Sequence, residues 1–352
     1  MNRDSMIGCI LGTAVGDALG LPYEGLNRDR ARRLLGVPDR HRFLFGRGMV
    51  SDDTEHTCFV AQALINSRLD PEQFSGLLAR SLRWWVLTLP AGVGRATLQA
   101  TLRLWLGRPP ACSGVFSAGN GPAIRSAILG LVFSSDRAAL KRFSRLSTQI
   151  THTDPKALRG ALAIALAAAV SVGKARPSAI IYLEELRELL AEEGDDDLFL
   201  RVIAAADSAA RNDPVDVFAH QNGSPEGGIS GYMYHTVPCV LQTWFRYPDD
   251  YGTALREIIS AGGDTDTTAA ILGGIVGARV GLKGIPEDWV GRLAEWPRTV
   301  SWMENLGNAL YSTARNELAD PPLYFVPGIL PRNVLFLATV LFHGLRRLGP
   351  PY

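Results

Sequence analysis

Gly8, Gly12, Gly16 and Gly20 recur at every fourth position near the N-terminus. Residues four apart share one face of an α-helix, so this face presents bare backbone along its whole length. Each glycine weakens a helix by about 1 kcal/mol relative to alanine. A stripe of them fits where a second backbone must come very close. The first helix is therefore expected at the centre of the molecule. Asp17 becomes a polar group near the end of that buried helix, which breaks at Leu21-Pro22-Tyr23-Glu24.

Helical periodicity recurs over 55–68, 71–87, 93–107, 120–133, 136–147, 155–174, 177–193, 197–211, 235–246, 250–260, 265–280 and 297–317. The stretch 161–170 is apolar all round, as befits a helix surrounded on every side. Alternating runs of strand type are nearly absent. Proline and glycine gather between the helices, at 107–114, 221–231 and 318–331. The expected fold class is all-α. With no linker or charge block, the chain is expected to form a single compact domain over 1–352, with a C-terminal segment 318–352 of unassigned role.

Two apolar segments need a decision about membranes. Residues 6–21 imitate a signal-peptide core, but Asp17 interrupts the run and no basic segment precedes it. Residues 333–345 are apolar but too short to cross a bilayer. Both are read as buried helices. The 36 basic and 35 acidic side chains leave no field to attract nucleic acid or an anionic membrane. Cys9, Cys58, Cys112 and Cys239 form no CxxC pair and read as free thiols of a reducing compartment. The expectation is a monomer in the cytoplasm.

Two acidic runs carry the chemistry. Ser51-Asp52-Asp53-Thr54-Glu55 and Gly262-Gly263-Asp264-Thr265-Asp266-Thr267 stand far apart in sequence, each where a loop feeds a helix. Either run alone reads equally as a helix N-cap. Together with Asp17 and Glu24 they make an oxygen-rich set suited to hard cations. Residues two apart on a helix point about 200° away from each other. Paired carboxylates are therefore expected in the turns before the helices, with Gly262 and Gly263 giving room to bend.

Three further segments are candidates. Gly119-Asn120-Gly121-Pro122 leads into a helix and exposes backbone N–H groups of the kind that seat a diphosphate, although an ordinary loop looks the same. His152, in Thr151-His152-Thr153-Asp154-Pro155, can bond a phosphate or a ribose hydroxyl, or serve structure alone. The glycine-rich loop 223–232 ends in Ser230-Gly231-Tyr232 and can close over a base or sugar. His41, His56, His220, His235 and His343 show no zinc spacing and stay unassigned. Trp84-Trp85 reads as core.

In order along the chain, Gly16-Asp17-Ala18-Leu19-Gly20, Glu24, Ser51-Asp52-Asp53-Thr54, Gly119-Asn120-Gly121, Thr151-His152, Gly231-Tyr232 and Gly263-Asp264-Thr265-Asp266-Thr267 resemble the ADP-ribosylglycohydrolase family. The resemblance covers about residues 5–280. It implies a compact orthogonal helical bundle and a pair of Mg2+ or Mn2+ ions held by Ser51, Asp52, Asp53, Asp264, Asp266 and Thr267. It implies cleavage of the bond between ADP-ribose and an acceptor, with Asp53 or Glu24 accepting the proton of the attacking water. Glu24 would also border the substrate. Gly119, Asn120 and Gly121 would hold the diphosphate, His152 the ribose-phosphate region, and Ser230, Gly231 and Tyr232 the nucleotide. Asp17 would support the metal loops. Ser51 replaces a frequent threonine and keeps an oxygen ligand. Ser117 stands where one branch of the family carries a catalytic aspartate, which leaves the general acid open. The expected partner is an ADP-ribosylated protein, with arginine the leading acceptor. The alternatives are a small ADP-ribose conjugate, a serine or nucleic-acid linkage, and a non-catalytic binder.

Overall fold

A computed structural model describes residues 2–349 except 44, 174 and 195. Position 174, at the end of one predicted helix, and positions 1 and 350–352 of the expected domain lie outside the described residues. Among the described residues eighteen α-helices follow one another, with isolated backbone bridges but no strand. The all-α expectation holds. One hydrophobic cluster contains residues from Met6 to Leu310.

The glycine stripe explains the centre. The first helix, Arg3–Gly20, runs antiparallel to the helix Thr265–Gly284. A Cβ at Gly8, Gly12, Gly16 or Gly20 would meet the carbonyl oxygen of Gly277, Gly273, Ala269 or Thr265 at 2.2, 2.2, 2.1 and 2.3 Å. The contact is reciprocal, since a Cβ at Gly273 would meet the Gly12 carbonyl at 2.3 Å. Only hydrogen fits between these backbones. The pairing fixes register: the last turn of the first helix lies beside the first turn of its partner, where the Thr265 hydroxyl donates to the Gly20 carbonyl at 2.8 Å. Asp17 and Glu24 are thereby carried to the second acidic run.

Most predicted helices form, 155–174 as Pro155–Ser171 and 265–280 as Thr265–Gly284. The pattern at 120–133 divides into Gly121–Ile124 and Ala127–Val132. Arg28–Leu35 escapes sequence analysis because only Ala31 on it is buried, so it has no apolar period. Two expectations fail. Trp85 is core, but Trp84 is 54% exposed and packs edge-on against Trp105. The segment 333–345 is not a buried helix. It lies in Ile329–Arg346, part of a helical run Val326–Arg346 long and apolar enough by composition to cross a membrane, yet only 33% buried. Its buried positions include the polar Arg332, Asn333 and His343, while Val334, Leu341, Phe342 and Leu345 face outward. Apolar composition misled because this helix anchors itself through its polar side chains.

Candidate functional site

The first acidic run is tied down by Asp17. Its buried carboxylate accepts from the Ser51 N–H at 2.9 and 3.0 Å, the Thr54 N–H at 3.2 Å and the Thr54 hydroxyl at 2.6 Å. Burial pushes the Asp17 carboxyl up to about 7 despite these donors. Ser51 caps the helix Asp52–Ser67, its hydroxyl accepting from the Asp53 N–H at 3.2 Å. The capping reading and the site reading are thus both true of Ser51. The second run begins with Gly262 and Gly263, whose positive φ angles of 78° and 87° suit glycine. The Asp264 N–H donates to the Ile229 carbonyl at 2.7 Å, and Asp264 stands at the N-cap position of the next helix without a side-chain capping bond, which leaves its carboxylate for the cleft.

One detail differs from expectation. Asp264 does precede its helix, but Asp52, Asp53 and Asp266 occupy first turns. A cleft that wraps around a helix N-terminus is reached by neighbouring residues, which diverge by only about 100°. Exposed N–H groups there also favour carboxylates.

The runs converge on one cleft of about 340 Å³. Its lining includes all six predicted ligands, Ser51, Asp52, Asp53, Asp264, Asp266 and Thr267, together with Glu24, the other candidate base, and Gly119, Asn120, Gly121, His152 and Gly231. Glu24, Asp264 and Asp266 each offer a carboxylate oxygen within 4.8 Å of the others. Burial, then repulsion from neighbouring carboxylates, holds Asp52, Asp53 and Asp266 well above the usual carboxylate range. Burial raises Asp264 too, against donation from Asn120, whose amide reaches it at 2.7 Å. Glu24, at the exposed edge of the group, is raised by partial desolvation and then by Asp264, while Arg347 lowers it. Asp53 Oδ2 and Asp266 Oδ1 are buried with no hydrogen-bond partner. Buried carboxylates packed like this need positive charge. An all-oxygen donor set with orphaned oxygens fits hard divalent cations.

The Gly119–Gly121 turn packs on His152. A Cβ at either glycine would come within 3.2 Å of the imidazole. His152 Nδ1 pairs with the Thr151 hydroxyl at 2.9 Å, and burial, then the Arg125 charge, push the ring down to about 3. Arg125 is fully buried and donates to the Ser147 hydroxyl at 2.9 Å and the Thr151 hydroxyl at 2.7 Å. It forms no ion pair with any described carboxylate. An uncompensated buried guanidinium behind the turn makes this end of the cleft receptive to an anion.

Ser230 and Tyr232 do not line the cleft. Neighbouring residues of an extended segment face opposite ways, and here Gly231 takes the inner side. A Cβ on Gly231 would stand 3.1 Å from Asp264 Oδ2. The Ser230 hydroxyl pairs with His235 Nδ1 at 2.8 Å, and the Tyr232 ring packs edge-on against His235. His56, Thr97, Phe336 and Val340 also line the cleft, and none of them was expected there. His56 was legible, lying one helical turn after Asp52 and Asp53. It is buried, and neither ring nitrogen has a partner.

The chain is similar to known proteins over most of its length. Residues 2–319 match the model of the family described as ADP-ribosylglycohydrolase. The chain is 33% identical to an uncharacterized protein of Archaeoglobus fulgidus, covering 86% of this chain and 94% of that one. It is 25% identical to the ADP-ribosyl-[dinitrogen reductase] glycohydrolase of Rhodospirillum rubrum, covering 83% and 90%. It is 28% identical to the ADP-ribosylhydrolase ARH3 of Gallus gallus, covering 80% and 87%. A solved structure titled ADP-ribosylglycohydrolase-related protein complex superposes with a TM-score of 0.65 at 28% identity, covering 89% of this chain and 98% of that one. The chain belongs to the ADP-ribosylglycohydrolase family, and its activity is that of a glycohydrolase releasing ADP-ribose.

Proposed function

We propose that this glycohydrolase removes ADP-ribose from arginine on a protein, in the cytoplasm, with two Mg2+ or Mn2+ ions at the acidic cluster. The observation that carries the reading is the meeting of two sequence-distant acidic runs in one cleft, with buried carboxylate oxygens left unpartnered on each. The Rhodospirillum rubrum relative's name supports a protein acceptor. Ser51, Asp52, Asp53, Asp264, Asp266 and Thr267 would hold the ions.

Bound there, such ions would supply positive charge and lower the pKa of the attacking water. The chain's own residues do the rest. The Gly119–Gly121 turn, with the Arg125 charge behind it, receives the diphosphate. Neutral His152 offers a ring nitrogen to the ribose-phosphate region. Glycosidic cleavage develops positive charge on the sugar, which the surrounding carboxylates stabilise. Asp53, or Glu24 at the rim, takes the proton from water. Asp52→Ala/Asp53→Ala and Asp264→Ala/Asp266→Ala are each expected to abolish metal-dependent release of ADP-ribose from modified arginine. Turnover retained by both variants ends the proposal.

A further inference from the structure

The C-terminal helix Ile329–Arg346 begins beyond residue 319, where the family match stops, yet it forms part of the cleft. Arg332, Phe336, Val340, His343 and Arg347 follow one another at spacings of four, four, three and four, so they share one face. That face holds the residue before the first acidic run and the Pro22–Glu24 segment. At one end, buried Arg332 pairs with Glu295 at 2.6 Å and donates to the Val50 carbonyl, while the Val50 N–H donates to Glu295 at 2.8 Å. Val50 immediately precedes Ser51. At the other end, His343 Nε2 donates to the Pro22 carbonyl at 2.9 Å and Arg347 to the Glu24 carbonyl at 2.7 Å. The Gly25 N–H, next along, donates to the Gly263 carbonyl at 2.8 Å.

Between these anchors Phe336 and Val340 line the cleft with Leu21 and Ala91, in an apolar cluster next to Glu24 and Asp52. Asp52 is close here, because a Cβ on Gly92 would stand 3.2 Å from its Oδ1. None of Gly119, Asn120, Gly121 and His152 belongs to this apolar cluster. An ADP-ribose conjugate with its diphosphate at the Gly119–Gly121 turn and its distal ribose at the carboxylates leaves its acceptor beside this apolar surface. We propose that the C-terminal helix is a strap across the cleft and that Phe336 and Val340 determine acceptor specificity, favouring an acceptor joined through a hydrocarbon stem. This rests on the function proposed above.

The test uses the full chain with Mn2+ and compares wild type with Val340→Trp, which adds bulk to the apolar wall, and Val340→Ile as the conservative control. Free ADP-ribose binding is measured by calorimetry, and turnover on arginine-linked ADP-ribose by product release. The expected result is ADP-ribose affinity kept by Val340→Trp while kcat/KM on the conjugate falls about ten-fold or more through KM, with Val340→Ile close to wild type. Unchanged kcat/KM in Val340→Trp overturns the assignment, because the wall then does not meet the acceptor. A parallel loss of ADP-ribose affinity also overturns it, because the helix then only supports the site as a whole. Wild type that neither binds ADP-ribose nor cleaves the conjugate defeats the underlying function, and this inference with it.

Discussion

Replacing Gly12 with alanine tests whether backbone contact between the two central helices builds the site. The added Cβ would stand 2.2 Å from the Gly273 carbonyl oxygen, against the roughly 3.5 Å at which non-bonded heavy atoms rest. The obstacle is backbone within a buried helix, so no side chain can turn aside and the helices must separate. Alanine's better helix propensity returns about 1 kcal/mol. Overpacking with backbone displacement costs about 1–3 kcal/mol, occasionally more. Overlap against an immovable carbonyl belongs at the severe end, so the net expectation is destabilisation by about 2 kcal/mol. Gly76 is the control, being an exposed helical glycine whose Cβ would meet nothing within 4 Å. Gly76→Ala is expected to stabilise by about 0.5–1 kcal/mol. Urea denaturation of both variants reads the two signs directly. Equal or greater stability of Gly12→Ala would refute the argument. Turnover adds a second check: separation at Gly12 draws Gly20 away from Thr265, so Gly12→Ala also loses ADP-ribose release while folded.

With metal chelated, the raised carboxyls make the fold sensitive to pH. Asp52, Asp53 and Asp266 lie well above 3.8 and Asp17 reaches about 7. Their contribution is fully present below the unfolded value and is lost as pH rises through the folded ones. Melting temperature in chelator should therefore fall between about pH 4 and 7, and Mn2+ at 100 times its Kd should restore about 2.7 kcal/mol at neutrality. A flat profile removes the electrostatic argument for the cluster. Arg125→Met should weaken ADP-ribose binding about ten-fold or more in calorimetry, with the thermal shift on adding Mn2+ kept; unchanged affinity would remove Arg125 from the diphosphate site. Arg298 is buried against Glu55, whose other oxygen accepts from the Trp85 indole at 2.7 Å. Arg298→Met should destabilise by about 3–5 kcal/mol in denaturation, and a loss below about 1 kcal/mol would show that the pair is solvated like a surface one.

The acidic runs, the Gly-Asn-Gly turn and His152 were legible because each requires particular atoms in short order along the chain. Gly231 lines the cleft while Ser230 and Tyr232 do not, because a motif names neighbours without saying which side chain faces inward. Phe336 and Val340 carry no signal in one dimension, since any apolar helix looks alike until its contacts are known.

By itself the sequence determined the helical class, the central bare-backbone helix and the oxygen-rich chemistry, since periodicity, glycine spacing and carboxyl groups are properties of the chain. Tertiary structure decided that Asp53 and Asp264 meet, through the antiparallel register of Gly20 against Thr265. It also decided that the C-terminal helix turns Arg332, His343 and Arg347 inward and leaves its leucines outside. The physical reason is that convergence of distant segments depends on packing and on where buried polar groups find partners, and neither quantity is local in sequence.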